Sequence, residues 1–303
     1  MNLSIIIVSW NVRDLLRQCL HSIDAPTAEI FVVDNASSDG TVEMLRAEFP
    51  SVRVMANATN VGFTRANNQA LAIAQGRYLF LLNPDTQLHP DAMQTLSDFM
   101  DAHPHVGIVG PQLFYGDGLP QSSRRRFPTI ATAFLESTIL QRWFPRSRVL
   151  TRYYMRDTRD DETQAVDWIN GSAMFVRRAT YEQIGGFDEG FFMYSEELDW
   201  CYRAKKAGWQ IVYLPTAQVT HYEGKSSEQV SARRDIFFNT SKIRFFHKYH
   251  GAFVAGILRV FLLVTFVLQL AEESIKWVLG HKRVLRTQRV QAYWQVLKSG
   301  LSQ

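Results

Sequence analysis

Two acidic motifs carry the chemistry this chain can do. The first, Asn83-Pro84-Asp85, ends a short apolar run at residues 78–82 that reads as a buried strand. A carboxylate delivered at the carboxyl end of such a strand can hold a divalent cation against a diphosphate. The second, Glu196-Glu197-Leu198-Asp199, opens a stretch with helical spacing (Leu198, Cys201, Tyr202, Lys205, Ala207) that stops at Gly208. Adjacent residues on a helix point about 100° apart, so one glutamate can face a cleft while its neighbour braces the fold. A carboxyl group shut in a cleft titrates higher than usual and can take the proton of an incoming hydroxyl. Both glutamates also suit a helix start, where the dipole favours negative charge. His221, beyond an apolar strand at 210–214, is a candidate second cation ligand or diphosphate contact, against the plainer role of a structural loop histidine. Together these residue types point to group transfer from a nucleoside diphosphate.

The elements that must position them alternate. Residues 3–8 are a near-continuous β-branched run suited to a strand covered on both faces. Val12, Leu15, Leu16, Cys19, Leu20 and Ile23 recur at helical spacing. A second strand at 29–33 runs into Asp34-Asn35-Ala36-Ser37-Ser38-Asp39-Gly40-Thr41. A helix at 42–49, a strand at 52–55, a helix at 65–75 and the strand at 78–82 follow. This alternation predicts a mostly parallel sheet with helices on both faces and ligands outside the carboxyl ends of its strands. Asp34, Asp39 and Asp85 all fall there. Asp34 can accept from a base N–H or a ribose hydroxyl, with turn formation as the competing role. Asp39 can face a nucleoside or cap the next helix. The polar loop at 57–68, with Asn60, Arg65, Asn67 and Asn68, borders the same cleft, Arg65 facing either a phosphate or solvent. No GxGxxG follows the first strand and no GxxxxGK[ST] occurs, which disfavours dinucleotide-binding and P-loop chemistry.

Proline and glycine cluster between 104 and 120 and mark a change of organisation near residue 110, although 106–115 can still add a strand. Ser122-Ser123-Arg124-Arg125-Arg126-Phe127-Pro128 is a compact basic run. It reads either as a solvated surface turn or as a contact to a leaving diphosphate or to a phosphate on an acceptor. Residues 140–165 show no clear period and read as an insertion or a lid. Trp168-Ile169-Asn170-Gly171 is a tight turn feeding a strand. The chain has 303 residues, a formal charge of +4 and two cysteines, Cys19 and Cys201, too few for a disulfide scaffold. Residues 1–9 read as a strand rather than a leader.

Seven segments recur in one order: Val8-Ser9-Trp10-Asn11, Val33 through Thr41, Asn60-Val61-Gly62-Phe63, Leu82-Asn83-Pro84-Asp85, Trp168-Ile169-Asn170-Gly171, Gly186-Phe187-Asp188-Glu189 and Glu196 through Cys201. In that order, across residues 3–246, the chain resembles the family 2 inverting glycosyltransferases, particularly their bacterial rhamnosyltransferase-like branch. The resemblance implies an α/β, GT-A-type Rossmann-like nucleotide-sugar fold with a mostly parallel mixed central sheet, followed by apolar or amphipathic C-terminal helices. It implies a nucleotide-sugar half at 1–110, an acceptor-binding and catalytic half of the same domain at 111–245, and a membrane-associating segment at 246–303. Candidate donor contacts are Ser9, Asp34, Asn35, Asp39, Asn60, Arg65, Asn67, Asn83 and Arg124. Asp85 and His221 are the implied ligands of Mg2+ or Mn2+. Many members carry Asp-x-Asp where this chain has Asn83, which leaves fewer carboxylates around the cation. The implied base is Glu197, beside Glu196, where relatives commonly have aspartate. Trp168, Asn170, Gly171 and Asp199 fall on the acceptor side. The implied reaction moves L-rhamnose from dTDP-L-rhamnose to a hydroxyl of a lipid-linked or cell-surface glycan. The alternatives are UDP- or GDP-hexose or N-acetylhexosamine transfer, or a non-catalytic nucleotide-sugar-binding module.

Residues 253–271 are apolar apart from Gly256, Arg259 and Gln269. A bilayer span takes about 20 such residues, and an arginine at its centre costs about 2.5–3.5 kcal/mol. Basic residues flank both ends: Lys242, Arg244 and Lys248, then Lys282, Arg283, Arg286 and Arg289. A span would place one basic cluster on the outer side, against the usual bias. The pattern therefore predicts helices lying on the cytoplasmic membrane surface, peripheral or monotopic, with Trp277 and Trp294 as interfacial anchors. The competing reading buries this helix in a homodimer interface or against the catalytic domain. Nucleic acid is not an expected partner, because the basic residues do not interleave with a stacking platform.

Overall fold

The apolar run at Leu3–Ser9, strand β1, is buried along its whole length and is the axis on which the sheet is built. Alternate side chains enter two opposed cores, Ile5 and Ile7 packing with Leu16 and Leu20, Ile6 and Val8 with Ala66, Ala70 and Trp200, as the two-residue period of a strand requires. β1 is parallel to β2 (Glu29–Asp34) and to β4 (Tyr78–Leu82), and β3 (Arg53–Ala56) is parallel to β2 at the edge. Helices α1 (Arg13–His21), α2 (Thr41–Glu48) and α3 (Phe63–Leu71) make the connections. Then come β5 (Thr86–Leu88), α4 (Ala92–Ala102), β6 (Val106–Phe114), β7 (Pro120–Gln121) and β8 (Arg124–Arg125). Three short helices, α5 (Ile130–Leu135), α6 (Ile139–Trp143) and α7 (Arg148–Tyr153), occupy the segment that has no sequence period. They are followed by β9 (Gln164–Ala165), β10 (Trp168–Ile169), β11 (Ala173–Arg177), α8 (Arg178–Ile184), α9 (Glu196–Lys206), β12 (Gln210–His221), α10 (Ser231–Val278) and α11 (Arg283–Ser299). This computed structural model describes residues 2–222, 231–280 and 282–302.

Among the described residues the main sheet has ten strands, in the order β3-β2-β1-β4-β11-β6-β12-β5, with β7 on β6 and β9 on β12. β8 and β10 form a separate two-stranded ribbon. The first four strands are parallel, and β11 enters antiparallel to both β4 and β6. β12 returns parallel to β6 and antiparallel to β5. The sheet is therefore mixed. It also runs straight through residue 110, so no boundary falls there.

β12 corrects an expectation. Its apolar half ends at Leu214 before Pro215, yet the strand continues to His221 because its register against β6 shifts between Leu214 and Gln218. The irregularity absorbs the proline, which lacks an N–H for the ladder. The extension sets His221 opposite Thr86 on β5.

The chain divides into two compact units. One comprises Met1–Phe127, Tyr154–Phe192 and Glu196–Ser226, and contains the sheet; the other comprises Pro128–Tyr153, Met193–Ser195 and Ser227–Gln303. The three short helices thus group with the C-terminal helices. In this second unit α10 breaks at Gly251 (φ 86°) into arms 231–250 and 252–278. Lys242 is buried against Glu136 at 2.5 Å, and Arg286 against Glu273 at 2.5 Å. Arg259 donates from Nε to the Gly300 carbonyl at 2.7 Å, satisfying the end of α11. One face of the 252–278 arm is inward, with Ala255, Leu258, Leu262 and Phe266 buried. The other exposes Phe253, Ile257, Val260, Val264, Val267 and Ile275, a helical stripe led by Phe253 at 80% exposure. Among the described residues one helix, Ala232–Val278, is long and apolar enough to cross a membrane.

Candidate active site

The β5–β12 register assembles the first cluster. His221 Nε2 lies 3.4 Å from Asp85 Oδ1 and 3.5 Å from Asn83 Nδ2, with the His221 and Asp85 side chains both nearly enclosed. The backbone repeats the join, Tyr222 donating its N–H to the Asp85 carbonyl at 2.9 Å. On its other side, His221 Nδ1 is 3.0 Å from Gln121 Oε1. A carbonyl oxygen only accepts, so Nδ1 donates to it and Nε2 is the ring atom left toward Asp85. An imidazole nitrogen and a carboxylate oxygen at this separation are a donor set that fits a divalent cation. Among the described residues no group of three or more His, Cys, Asp or Glu side chains forms a cage. Asp85 and His221 therefore suit a Mg2+ or Mn2+ ion whose other positions are filled by diphosphate oxygens and water. Gln121 was not visible as a site residue, since a glutamine in a two-residue strand carries no motif. Cys19 packs beneath, its Sγ 3.5 Å from Thr86 Oγ1, and burial pushes the thiol up to about 12.

A second cluster forms where β1 and β2 end. Ser9 and Asp34 are paired in register. Asp34 Oδ2 accepts from the Ser37 N–H at 2.9 Å, but Asp34 Oδ1 and Ser9 Oγ are buried without a partner. An unpaired buried polar atom costs about 1–3 kcal/mol, which a ligand bearing N–H or O–H groups recovers.

The neighbouring candidates have other work. Asn35 donates to the Gly62 carbonyl at 3.2 Å and accepts from Asn57 at 3.0 Å. Asp39 accepts from the Arg13 N–H through one oxygen and from Thr41 through the other, so it pins two loops together and caps α2. Burial pushes its carboxyl up, and those hydrogen bonds outweigh burial and hold it below the ordinary aspartate range. Asn60 accepts from the Gly62 N–H at 3.0 Å. Gly62, at φ 90°, brings its backbone so close to Phe192 that a Cβ would lie 2.8 Å from that ring. Asn67 is buried and donates to Phe63 within its own helix, while Arg65 pairs with Glu189 in solvent. Asn35, Asp39, Asn60, Asn67 and Arg65 thus each make at least one polar contact within the protein, which holds the loops at this end of the sheet in place.

The third cluster opens α9. Tyr194 and Ser195 turn the chain with φ 69° and 62°, and Glu196 and Glu197 follow. Glu196 is buried and Glu197 half-buried, and Oε2 of each is enclosed without a partner. Burial raises Glu196 well above the carboxylate range, with the Glu197 charge adding to it. Burial also raises Glu197, opposed by the backbone N–H groups of Glu197, Gly171 and Leu198 and by Arg125. The Glu197 side chain lies along Gly171, where a Cβ would sit 3.4 Å from its own Cβ. The next residue, Ser172, accepts from the Asn83 N–H at 2.8 Å and holds an unpartnered buried Oγ. Gly171, Ser172 and Asn83 thus form one short backbone bridge from Glu197 to the cation cluster.

Asp199, expected on the acceptor side, and Arg124, expected at the donor, are both held by partners in the fold. Asp199 is wholly buried and bonded to Arg203 at 2.9 Å, which also donates to the Ile184 and Gly186 carbonyls. Asp199 thus braces α9 against the loop at 184–186 through Arg203. Arg124 is enclosed over the Tyr213 ring and donates to the Thr158 carbonyl. Strand alternation turns the next residue, Arg125, to the other face, over Trp168 and Tyr154. Trp168 itself donates from Nε1 to the Arg126 carbonyl at 2.9 Å, and Asn170 Oδ1 accepts from the Ser172 N–H at 2.9 Å.

Residues 4–203 match the family model described as Glycosyl transferase family 2. The chain is similar to the N-acetylglucosaminyl-diphospho-decaprenol L-rhamnosyltransferase of Mycobacterium tuberculosis, 30% identical over 74% of this chain and 77% of the relative. It is also similar to Rhamnosyltransferase WbbL of Escherichia coli, 26% identical over 72% of this chain and 82% of that one. Among solved structures it shares the fold of the mannosyltransferase PcManGT from Pyrobaculum calidifontis in complex with GDP-Man and Mn2+. The TM-score is 0.56 at 17% identity, covering 99% of this chain and 84% of that one. The architecture is the GT-A-like α/β fold with a mixed sheet and C-terminal helices.

The buried acid pair has a consequence for stability. A carboxyl raised on folding stabilises fully below its unfolded value near 4.5 and loses that contribution as pH climbs toward its folded value. Glu196→Gln removes the titration. Its unfolding free energy relative to wild type is expected to rise steadily with pH above 4.5, by up to about 1.4 kcal/mol per pH unit until the folded value is reached. Parallel pH profiles for the two proteins would show that Glu196 is not a neutral buried acid.

Proposed function

Because the chain belongs to glycosyl transferase family 2, inverting hexosyltransferases acting on nucleotide-sugar donors and glycan acceptors, we propose that it transfers L-rhamnose from dTDP-L-rhamnose to a hydroxyl of a lipid-linked sugar at the cytoplasmic membrane surface. The observation that carries the reading is the bridge from Glu197 through Gly171 and Ser172 to the Asn83, Asp85 and His221 cluster. It sets a raised carboxyl beside a cation site, as direct displacement at an anomeric carbon requires. Ser9 and Asp34 receive the nucleoside in their two unpaired acceptors. Asp85 and His221 would hold Mg2+ or Mn2+, which when bound supplies positive charge to the departing diphosphate. Glu197 takes the acceptor hydroxyl proton as the oxygen attacks from the face opposite the diphosphate, inverting configuration. No second carboxyl is needed as an acid, because a diphosphate leaves as an anion. Trp168 and Gly171 line the acceptor side. The rhamnosyl assignment is supported by the two curated relatives named above and by Asn83-Pro84-Asp85 in place of Asp-x-Asp.

Membrane attachment is the second part of the proposal. The exposed stripe from Phe253 to Ile275 offers apolar area, and exposed Lys248, Lys282, Arg283 and Arg289 supply charge at its ends. Lys242 and Arg286, expected among these cations, are buried in ion pairs and do not contribute. Trp277 and Trp294 are partly exposed, as interfacial anchors would be.

A panel of dTDP-rhamnose, UDP-sugars and GDP-sugars, scored for nucleoside diphosphate release and for transfer to a lipid-linked acceptor, tests the donor. Release and transfer are expected with dTDP-rhamnose above the others; preferential turnover of a UDP- or GDP-sugar would replace the rhamnosyl reading. In the same assay activity should rise with pH along a limb displaced above the ordinary glutamate range, since the base works only when deprotonated. Glu197→Gln should lose turnover by several orders of magnitude while donor affinity is kept; an unchanged rate would remove Glu197 as base.

For the membrane, the Phe253→Glu/Val260→Glu double variant is expected to leave phosphatidylglycerol vesicles in a flotation assay, because each apolar side chain withdrawn from water contributes about 1.5–3 kcal/mol. Undiminished flotation would contradict the stripe. Conversion of a wild-type dimer to a monomer would reassign it to a homodimer interface.

A further inference from the structure

The segment from α5 to α7 carries a feature that the catalytic reading does not use. Trp143 and Phe144, where α6 closes, are 60% and 57% exposed. They sit on an ordered turn. Phe144 donates its N–H to the Leu140 carbonyl at 2.8 Å, and Ser147 donates its own to the Phe144 carbonyl at 3.1 Å. Pro145 thus stands second in a closed four-residue turn, a place its fixed φ suits. Ser147 Oγ then accepts from the Leu150 N–H at 3.3 Å at the start of α7. The turn therefore holds two large apolar side chains out in water, which is unfavourable until something covers them.

The charge around this turn is of one sign. Arg146, Arg148 and Arg152 are exposed. Arg148 and Arg152 lie one turn apart on α7, on the side away from the buried Leu150 and Tyr153. Glu136 is the one acid between 128 and 153, and it is taken by Lys242. Among the described residues the other ion pair of this segment joins Arg142 to Glu272, so neither pair uses Arg146, Arg148 or Arg152.

The segment runs beside the apolar arm of α10. Phe134 packs edge-on against Phe261, ring centroids 4.9 Å apart, and Arg142 pairs with Glu272 at 3.3 Å. About 16 Å of helix lies between those two contacts. At about 100° per residue, Phe261 and Glu272 stand roughly a quarter turn from the exposed Phe253 and Val260, and as far from the buried Leu258 and Leu262. The short helices therefore border the exposed stripe without covering it. Arg142 is anchored about one turn before Ile275, so the Trp143–Phe144 turn leaves the arm at the end where Ile275, Val278 and Leu279 are exposed.

The charge pattern chooses what covers the turn. A folded partner would have to place acids at three matching points around two aromatic rings. An anionic bilayer offers negative charge everywhere on its plane, and a headgroup layer that tryptophan favours. We propose that the α6–α7 turn is a second membrane anchor, Trp143 and Phe144 entering the headgroup boundary of an anionic bilayer while Arg146, Arg148 and Arg152 meet lipid phosphates. The inference rests on the membrane reading of the α10 stripe above. It adds the lipid class and a contact outside the C-terminal helices.

Two measurements on the full chain test it. Cys19 and Cys201 are buried, so a Phe144→Cys variant takes a nitrobenzoxadiazole fluorophore at that position alone. Phosphatidylglycerol vesicles should raise its emission and shift it to the blue, and phosphatidylcholine vesicles should do so far less. In flotation, Trp143→Ser/Phe144→Ser should bind phosphatidylglycerol vesicles about tenfold or more weakly than wild type. Arg146→Gln/Arg148→Gln/Arg152→Gln should lose about fivefold per arginine on the same vesicles and keep its binding to phosphatidylcholine. All five side chains are exposed, so an unchanged melting temperature flags each variant as folded. A fluorophore that keeps its aqueous emission while the protein floats, or turn variants that float like wild type, would overturn the proposal and leave the turn to an acidic protein. The stripe would survive that result if Phe253→Glu/Val260→Glu still failed to float. Loss of flotation by the turn variants, with Phe253→Glu/Val260→Glu floating normally, would support the turn and reject the stripe. Wild type that floats with neither vesicle would overturn both.

Discussion

Asn83 donates its N–H to the Ser172 carbonyl at 2.8 Å, carrying the pairing of Leu82 with Ala173 one residue beyond the strand ends. The rest of the site hangs on this join. β4 delivers the cation loop, β11 begins at the loop that supports Glu197, and their antiparallel register brings the two into contact distance. A purely parallel sheet could not do this, because the segment before a strand and the segment after its neighbour would emerge at opposite ends. The insertion of one antiparallel strand therefore joins the loop of Asn83 and Asp85 to the loop that supports Glu197.

The same edge is where the protein leaves polar atoms unpaid for. Ser9 Oγ, Asp34 Oδ1, Ser172 Oγ and one oxygen each of Glu196 and Glu197 are buried without partners. At about 1–3 kcal/mol apiece, such a set is large against the total stability of a domain. These five atoms lie on adjoining loops, while Arg124 Nε, Thr180 Oγ1, Asn239 Oδ1, Arg244 Nε and Arg286 Nε are unpartnered elsewhere. By contrast, polar side chains nearby that are fully engaged, Asn35, Asp39, Asn67 and Asp199, hold loops in register. Groups with partners in the fold and groups without them are thereby told apart, although the residues look alike as letters.

That distinction also sets what the sequence could disclose. β1, β4, α9 and the two acidic motifs were legible because apolar period and the chemistry of Asp and Glu are local properties. The internal partners of Asn35 and Asp39, Gly62 and Arg13, were not legible because they are fixed only by tertiary approach. The inward turn of Arg124 over Tyr213 was not legible, because a two-residue strand has no period from which to read which side chain turns inward. The reach of β12 to His221 was hidden by Pro215, whose usual meaning as a terminator is cancelled by a register shift. The α5 to α7 helices were missed for a related reason, being too short to show a face. For the C-terminal helices the apolar stripe was visible, but the withdrawal of Lys242 and Arg286 into buried pairs was not.

The cation site is where register, electrostatics and chemistry converge, since Asp85 and His221 are brought together by a strand pairing that no sequence motif announces. Electron paramagnetic resonance of Mn2+ titrated into the protein with dTDP present reads that site without any need for turnover. Asp85→Ala and His221→Ala should each weaken Mn2+ binding by on the order of tenfold or more, and Glu197→Gln should leave it unchanged. Retention of wild-type Mn2+ affinity by both Asp85→Ala and His221→Ala would contradict the account at its root.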